Sequence, residues 1–152
     1  MFAGLNDQIK EGTTEGAKNC LKLLQHNTEK LKFPTYDGRD ESTKERKQTG
    51  WVKVPAKENA LYVPAIMKGE KLDGLWDGKV IYIKADRGGV TFCHYEKNKR
   101  VVDAPYIGFY GDRFGEAYIE EGLSQNGGMV TITKMDGTTE ITERGDATSP
   151  TK

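Results

Sequence analysis

Residues 60–107 read ALYVPAIMKGEKLDGLWDGKVIYIKADRGGVTFCHYEKNKRVVDAPYI, and the reading of this stretch decides the fold. Short runs rich in Val, Ile, Tyr, Phe and Thr alternate with turn residues, the mark of strands joined by tight connections. The pattern predicts strands at 61–67, 78–85, 89–95 and 100–104. Turn signals punctuate them at Lys68-Gly69, Asp73-Gly74, Asp86 to Gly89 and Lys97-Asn98. The same texture extends outward, with a strand predicted at 51–54 before it and others at 106–110, 117–121, 129–134 and 138–142 after it. Gly111-Asp112, Asn126 to Gly128 and Asp136-Gly137 supply the later turns. Short strands this closely spaced fit a small barrel better than an open sheet, so the expected class is mainly β. Of the fourteen Phe, Tyr and Trp residues, all but Phe2, Phe33 and Tyr36 lie between Trp51 and Tyr118, which places most of the core there.

Ahead of the β region, residues 5–33 read as helix. Ala17, Cys20, Leu21, Leu24 and Leu31 fall at spacings that share one helical face, Thr13 or Thr14 offers a cap for the second half, and Phe33-Pro34 ends the segment. Such a face either packs on the β core or meets a partner. Residues 34–50 contain no aliphatic side chain and read as a polar linker, and 146–152 read as a frayed tail. The expected organisation is a helical segment at 1–33, the linker at 34–50, a barrel at 51–107, a second β unit at 108–145 and the tail. Trp76 to Ile83 followed by Val90-Thr91-Phe92 can be laid over Phe114 to Ile119 followed by Val130-Thr131-Ile132, each with a Gly-Gly turn between. The second unit is therefore either another barrel in tandem or an extension of the first.

Composition narrows the function. Twenty-three Lys and Arg balance 23 Asp and Glu, so net charge predicts neither a nucleic-acid nor a membrane-surface binder. No apolar run reaches the roughly 20 residues that span a bilayer, and the first residues lack a secretory pattern. Cys20 and Cys93 lie far apart in different kinds of segment and read as free thiols, which places the chain inside the cell, in nucleus or cytoplasm. Catalytic and metal signatures are missing: the two histidines, His26 and His94, form no ligand pair, and no phosphate loop or nucleophile elbow is present. Cys93 and His94 are neighbours on a strand and point to opposite faces, so they cannot act as nucleophile and base together. The expectation is a non-enzyme with no metal and no cofactor.

The 60–107 stretch resembles a Tudor domain, a small barrel related to the SH3 fold. In that alignment the first strand runs from Leu61 to Met67 and a turn from Lys68 to Leu75. Trp76 opens the second strand, and Val90 to Tyr95 form the third. Glu96-Lys97-Asn98 make a polar turn before a fourth strand from Lys99 to Ala104. Met67 stands where the family usually places an aromatic, and the step into the polar turn also departs from its pattern. The resemblance implies a pocket formed by Trp76, Phe92 and Tyr95 with Asn98 at its rim. Aromatic faces bind a methylated ammonium or guanidinium at roughly 0.5–2 kcal/mol per contact.

The leading expectation is therefore a protein-binding module, in its sharpest form a chromatin protein that reads methylated Lys or Arg on a partner such as a histone tail. One alternative is a barrel for RNA or single-stranded nucleic acid, suggested by Lys79, Lys84, Arg87, Lys97, Lys99 and Arg100 among the aromatics. Another is an accessory or assembly protein shaped for one partner.

Overall fold

A computed structural model describes residues 2–36, 45–113, 116–125 and 127–144. The frayed tail expected at 146–152 and the start of the second repeat copy, Phe114-Gly115, lie outside these. Helices α1 (Leu5–Lys10) and α2 (Glu15–His26) come first, followed by a 3-10 turn, Thr28–Lys30. The strands are β1 (Lys47–Gln48), β2 (Val52–Val54), β3 (Ala65–Leu72), β4 (Leu75–Lys84), β5 (Gly89–Glu96), β6 (Lys99–Arg100), β7 (Pro105–Arg113), β8 (Glu116–Leu123), β9 (Met129–Lys134) and β10 (Thr139–Glu143). A one-turn helix, α3 (Ala56–Asn59), links β2 to β3.

The chain is mainly β with an N-terminal helical segment, as the sequence predicts. All ten strands belong to one antiparallel sheet whose path runs β1-β3-β4-β5-β7-β8-β9-β10, with β2 beside β3 and β6 beside β5. Position 107/108, where the sequence suggests a boundary between units, lies inside β7, which pairs with β5 on one side and β8 on the other. Every pairing from β3 onward joins strands that are neighbours in sequence or are separated only by the short β6 excursion. Turn chemistry explains this. Asp73 and Gly74 (φ 53 and 79) and Lys97 and Asn98 (φ 50 and 67) both take the left-handed pairs that suit two-residue hairpins.

Strand alternation divides the buried residues into two sets. On one face Ile81, Ile83, Val90, Phe92, Ile107, Phe109 and Ile119 meet Leu5, Ile9, Cys20, Leu23 and Leu24 of the helices. Thr14 caps α2 by accepting from the Ala17 N–H at 3.0 Å. Helix α2 approaches β7 where neither backbone carries a side chain: a Cβ built on Gly111 would lie 1.8 Å from the Gly16 carbonyl oxygen. The predicted single helix over 5–33 is thus two helices, broken around Gly12 and ended by His26-Asn27 rather than by Phe33.

The other face carries Met67, Trp76, Val80, Tyr82, Cys93, Tyr95, Tyr106, Tyr110 and Tyr118, and among the described residues no long helix covers it. The sheet covers it by curling. Arg144, just past β10, donates from Nε to the Tyr106 hydroxyl at 3.1 Å and from Nη1 to the Ser124 carbonyl at 2.8 Å. Buried residues from distant strands, Val54 of β2 and Met67 of β3 with Val130 and Ile132 of β9, belong to this one inner cluster. Arg100 donates to Tyr82 at 2.9 Å and to Ser124 Oγ at 3.0 Å, and the Tyr106 hydroxyl donates to Glu120. The result is a rolled sheet whose end strands, β1 and β10, do not pair with each other.

The polar segment at 34–50 is not wholly a linker. Among its described residues β1 pairs with β3, and Arg46 forms a buried pair with Asp77, Nη2 to Oδ1 at 2.8 Å. Its pattern is invisible in hydropathy because the strand is only two polar residues long.

Candidate functional site

The four residues implied by the Tudor resemblance do not enclose an open pocket. Trp76 (1% exposed) and Tyr95 (0%) belong to the inner face of the rolled sheet, whereas Phe92 (0%) belongs to the helix-covered face. Phe92 and Tyr95 are three apart on one regular strand, so alternation sends them to opposite sides. Phe92 is ringed by Phe2, Phe33 and Phe109 at centroid distances of 5.3, 5.5 and 5.8 Å. The Trp76 face already holds an internal cation, with Lys71 Nζ 4.7 Å from its centroid. Asn98 is a clamp: its Oδ1 accepts from the Trp76 N–H at 2.7 Å, and its own N–H donates to the Trp76 carbonyl at 3.0 Å. An aromatic cage built from these residues is therefore corrected to core and turn roles.

Tyr95 nevertheless leads to an exposed feature. Its buried hydroxyl donates to the Asn59 carbonyl at 2.7 Å. Asn59, itself fully buried, donates from Nδ2 to the carbonyls of Val54 at 3.2 Å and Val63 at 2.8 Å, and its Oδ1 accepts from the Leu61 N–H at 2.7 Å. One side chain thus ties together both ends of the connection between β2 and β3. Leu61 is buried beneath it. Held this way, Ala60 and Tyr62 adopt left-handed backbone (φ 60 and 63), a region that costs a non-glycine residue about 1–2 kcal/mol. Tyr62 stands 68% exposed on this loop, with Val63 beside it.

The loop runs into a groove of about 510 Å³ lined by Lys53, Val54, Pro55, Pro64, Ala65, Ile66, Ala85 and Arg87. Most of that lining is apolar. Arg87 is committed elsewhere, donating to the Gln8 backbone carbonyl and Gln8 Oε1 and lying 3.7 Å from Glu11 Oε2. A second groove of about 450 Å³ lies between Lys30, Lys32 and Pro34 on one side and Pro105, Glu121, Leu123 and Met129 on the other.

Neither thiol is poised for chemistry. Burial first, then the Asp86 carboxylate, pushes Cys20 up from 9.0 to about 12, and burial pushes Cys93 up to about 11. The two cysteines are free and buried, and His94 packs on Phe33 and Tyr36, on the side of β5 opposite Cys93. Among the described residues no three His, Cys, Asp or Glu side chains gather as metal ligands, and no helix is long and apolar enough to cross a membrane.

No known family model matches the chain, nor does any curated protein or solved structure.

The sequence hides Tyr62 because the run Leu61 to Met67 reads as strand, and Asn59 because its partners Val54, Val63 and Tyr95 are not adjacent to it in sequence. The available signal was the pair of prolines, Pro55 and Pro64, bracketing a stretch with an asparagine, a residue suited to closing turns through its side chain.

Proposed function

We propose that this chain is a non-enzymatic protein-binding module that receives an extended, apolar-anchored segment of a partner at the Tyr62 loop and the groove beside it. The observation that carries this reading is a strained loop, fixed from the core by Asn59 and Tyr95, that presents an aromatic ring to solvent. Backbone strain persists only where surrounding structure over-determines it, and it gathers where a surface is used. Tyrosine is also among the side chains that dominate binding energy when seated on a partner. Protein is favoured over nucleic acid because the groove lining is mainly apolar and Lys53 is its one cation without an acidic partner among the described residues. Recognition of a methylated side chain, if it belongs to this module, would use Tyr62 rather than the buried rings.

Panning a displayed library of natural peptides, methylated and unmethylated, against wild type and Tyr62→Gly tests the reading. Glycine relieves the left-handed strain, about 1 kcal/mol, which offsets the extra freedom it gives the unfolded chain. The variant should keep its stability yet lose about 2 kcal/mol of affinity for the enriched peptides, roughly 30-fold. Enriched peptides that bind Tyr62→Gly as tightly as wild type would refute the proposal.

A further inference from the structure

The geometry points to a second copy of this chain as the partner of the β10 edge, in a two-fold dimer that extends one sheet into the other. This inference stands apart from the Tyr62 reading.

The two ends of the sheet differ. At the β3 end the edge strands are short and carry Lys47 and Lys53, the usual means of discouraging strand addition. Strand β10, Thr-Glu-Ile-Thr-Glu, has no lysine, proline, glycine or bulge, and it pairs in unbroken register with β9. All five of its residues are exposed, Ile141 at 71%.

The outward backbone groups of β10 can be assigned. Thr138 accepts from the Lys134 N–H at 2.9 Å, Arg144 donates to the Gly128 carbonyl at 2.7 Å, and the Arg144 carbonyl accepts from Gly127 at 3.3 Å. Even-numbered positions therefore turn their backbone groups toward β9. By strand alternation Thr139, Ile141 and Glu143 present theirs away from the sheet.

An antiparallel copy of this strand satisfies them in one register. Centring the two-fold axis on Ile141 sets Ile141 opposite Ile141, Thr139 opposite Glu143 and Glu140 opposite Thr142. All three outward residues of each strand then find outward partners. Moving the axis to Glu140 would set carboxylate against carboxylate and leave Glu143 without such a partner. Moving it to Thr142 would set Ile141 against Glu143. The central register alone matches every outward residue and puts no like charges face to face. It also continues an apolar stripe. On the helix-covered side of the sheet, Leu123, Met129 and Ile141 are exposed on adjacent strands, and Ile141 at the seam would meet its own counterpart across the axis.

Sedimentation of the full chain from micromolar to millimolar concentration should show a monomer–dimer equilibrium, weakened at least tenfold by Ile141→Lys with the thermal midpoint unchanged. Opposed residues in a hydrogen-bonded antiparallel pair lie about 5.5 Å apart at Cα, within disulfide reach. Ile141→Cys should therefore form a covalent dimer under mild oxidation, while Thr139→Cys, which faces Glu143, should not. Cys20 and Cys93 are buried and do not compete. A wild type that stays monomeric throughout, a dimer indifferent to Ile141→Lys, or cross-linking of Thr139→Cys as efficient as that of Ile141→Cys would each overturn the assignment.

Discussion

Replacing Gly111 by alanine adds a single methyl group at the tightest approach between helix and sheet. Its carbon would fall 1.8 Å from the Gly16 carbonyl oxygen and 2.4 Å from the Cys20 nitrogen, both backbone atoms of α2, so no side-chain rotation can relieve the overlap. Ordinary contact begins above 3 Å, which requires α2 to withdraw by more than an ångström. That helix anchors Cys20, Leu23 and Leu24 and supports Leu5 and Ile9 of α1. Burying each large aliphatic among them contributes about 1.5–3 kcal/mol, and a gap of 0.5–1 Å forfeits a quarter to a half of the contact attraction. The expected loss is about 2–4 kcal/mol, read as a fall in the urea midpoint with an unchanged slope. Gly50→Ala is the matched control, because nothing lies within 4 Å of its added carbon. A Gly111→Ala protein as stable as Gly50→Ala would show that α2 does not press on β7 as described.

Trp76→Ala should destabilise by about 3–5 kcal/mol, measured by denaturant titration, as expected for an emptied core site; a folded, fully stable variant would return Trp76 to the surface. Tyr95→Phe removes only the hydroxyl that supports Asn59 and should cost about 1–2 kcal/mol, while Asn59→Ala should cost more and make the 59–64 backbone amides exchange faster with deuterium. In alkali the buried thiols lower stability. Their folded pKa values, about 12 for Cys20 and about 11 for Cys93, lie above the ordinary 9.0, so between pH 9 and 12 the unfolded chain releases protons that the folded chain retains. Stability present in full below pH 9 should fall by up to about 1.4 kcal/mol per pH unit for each thiol, to about pH 11 for Cys93 and about pH 12 for Cys20. A urea midpoint flat from pH 8 to 11 would contradict the burial of both.

Much of the sheet was legible because hairpin chemistry is local. Asp73-Gly74 and Lys97-Asn98 mark two turns, and the runs of Val, Ile, Tyr and Phe between turn residues mark the strands. The helix-bearing N-terminus was legible for the same reason, through Thr14 and the spacing of Ala17, Cys20 and Leu24. What the sequence did not reveal depends on distant contacts. Whether Tyr95 lines a pocket or a core is set by Asn59, 36 positions earlier. The small barrel suggested by strand spacing becomes one rolled sheet because buried side chains as far apart in the chain as Val54 and Ile132 share its inner face. Tyr62 reads as part of a strand because a left-handed tyrosine leaves no local trace; its φ of 63 is held by groups outside its own segment.

The order in which strands follow one another has a consequence for synthesis. From β3 to β10 each new strand can zip onto the one made before it, so the sheet can grow as the chain leaves the ribosome and needs few long loop closures. Helix α2 is made first, yet it rests on β5, β7 and β8. It must wait about a hundred residues for its seat, and during that interval Leu23 and Leu24 are bare. Until residue 123 has been added, the apolar face of α2 lacks the complete β5–β7–β8 surface on which it rests.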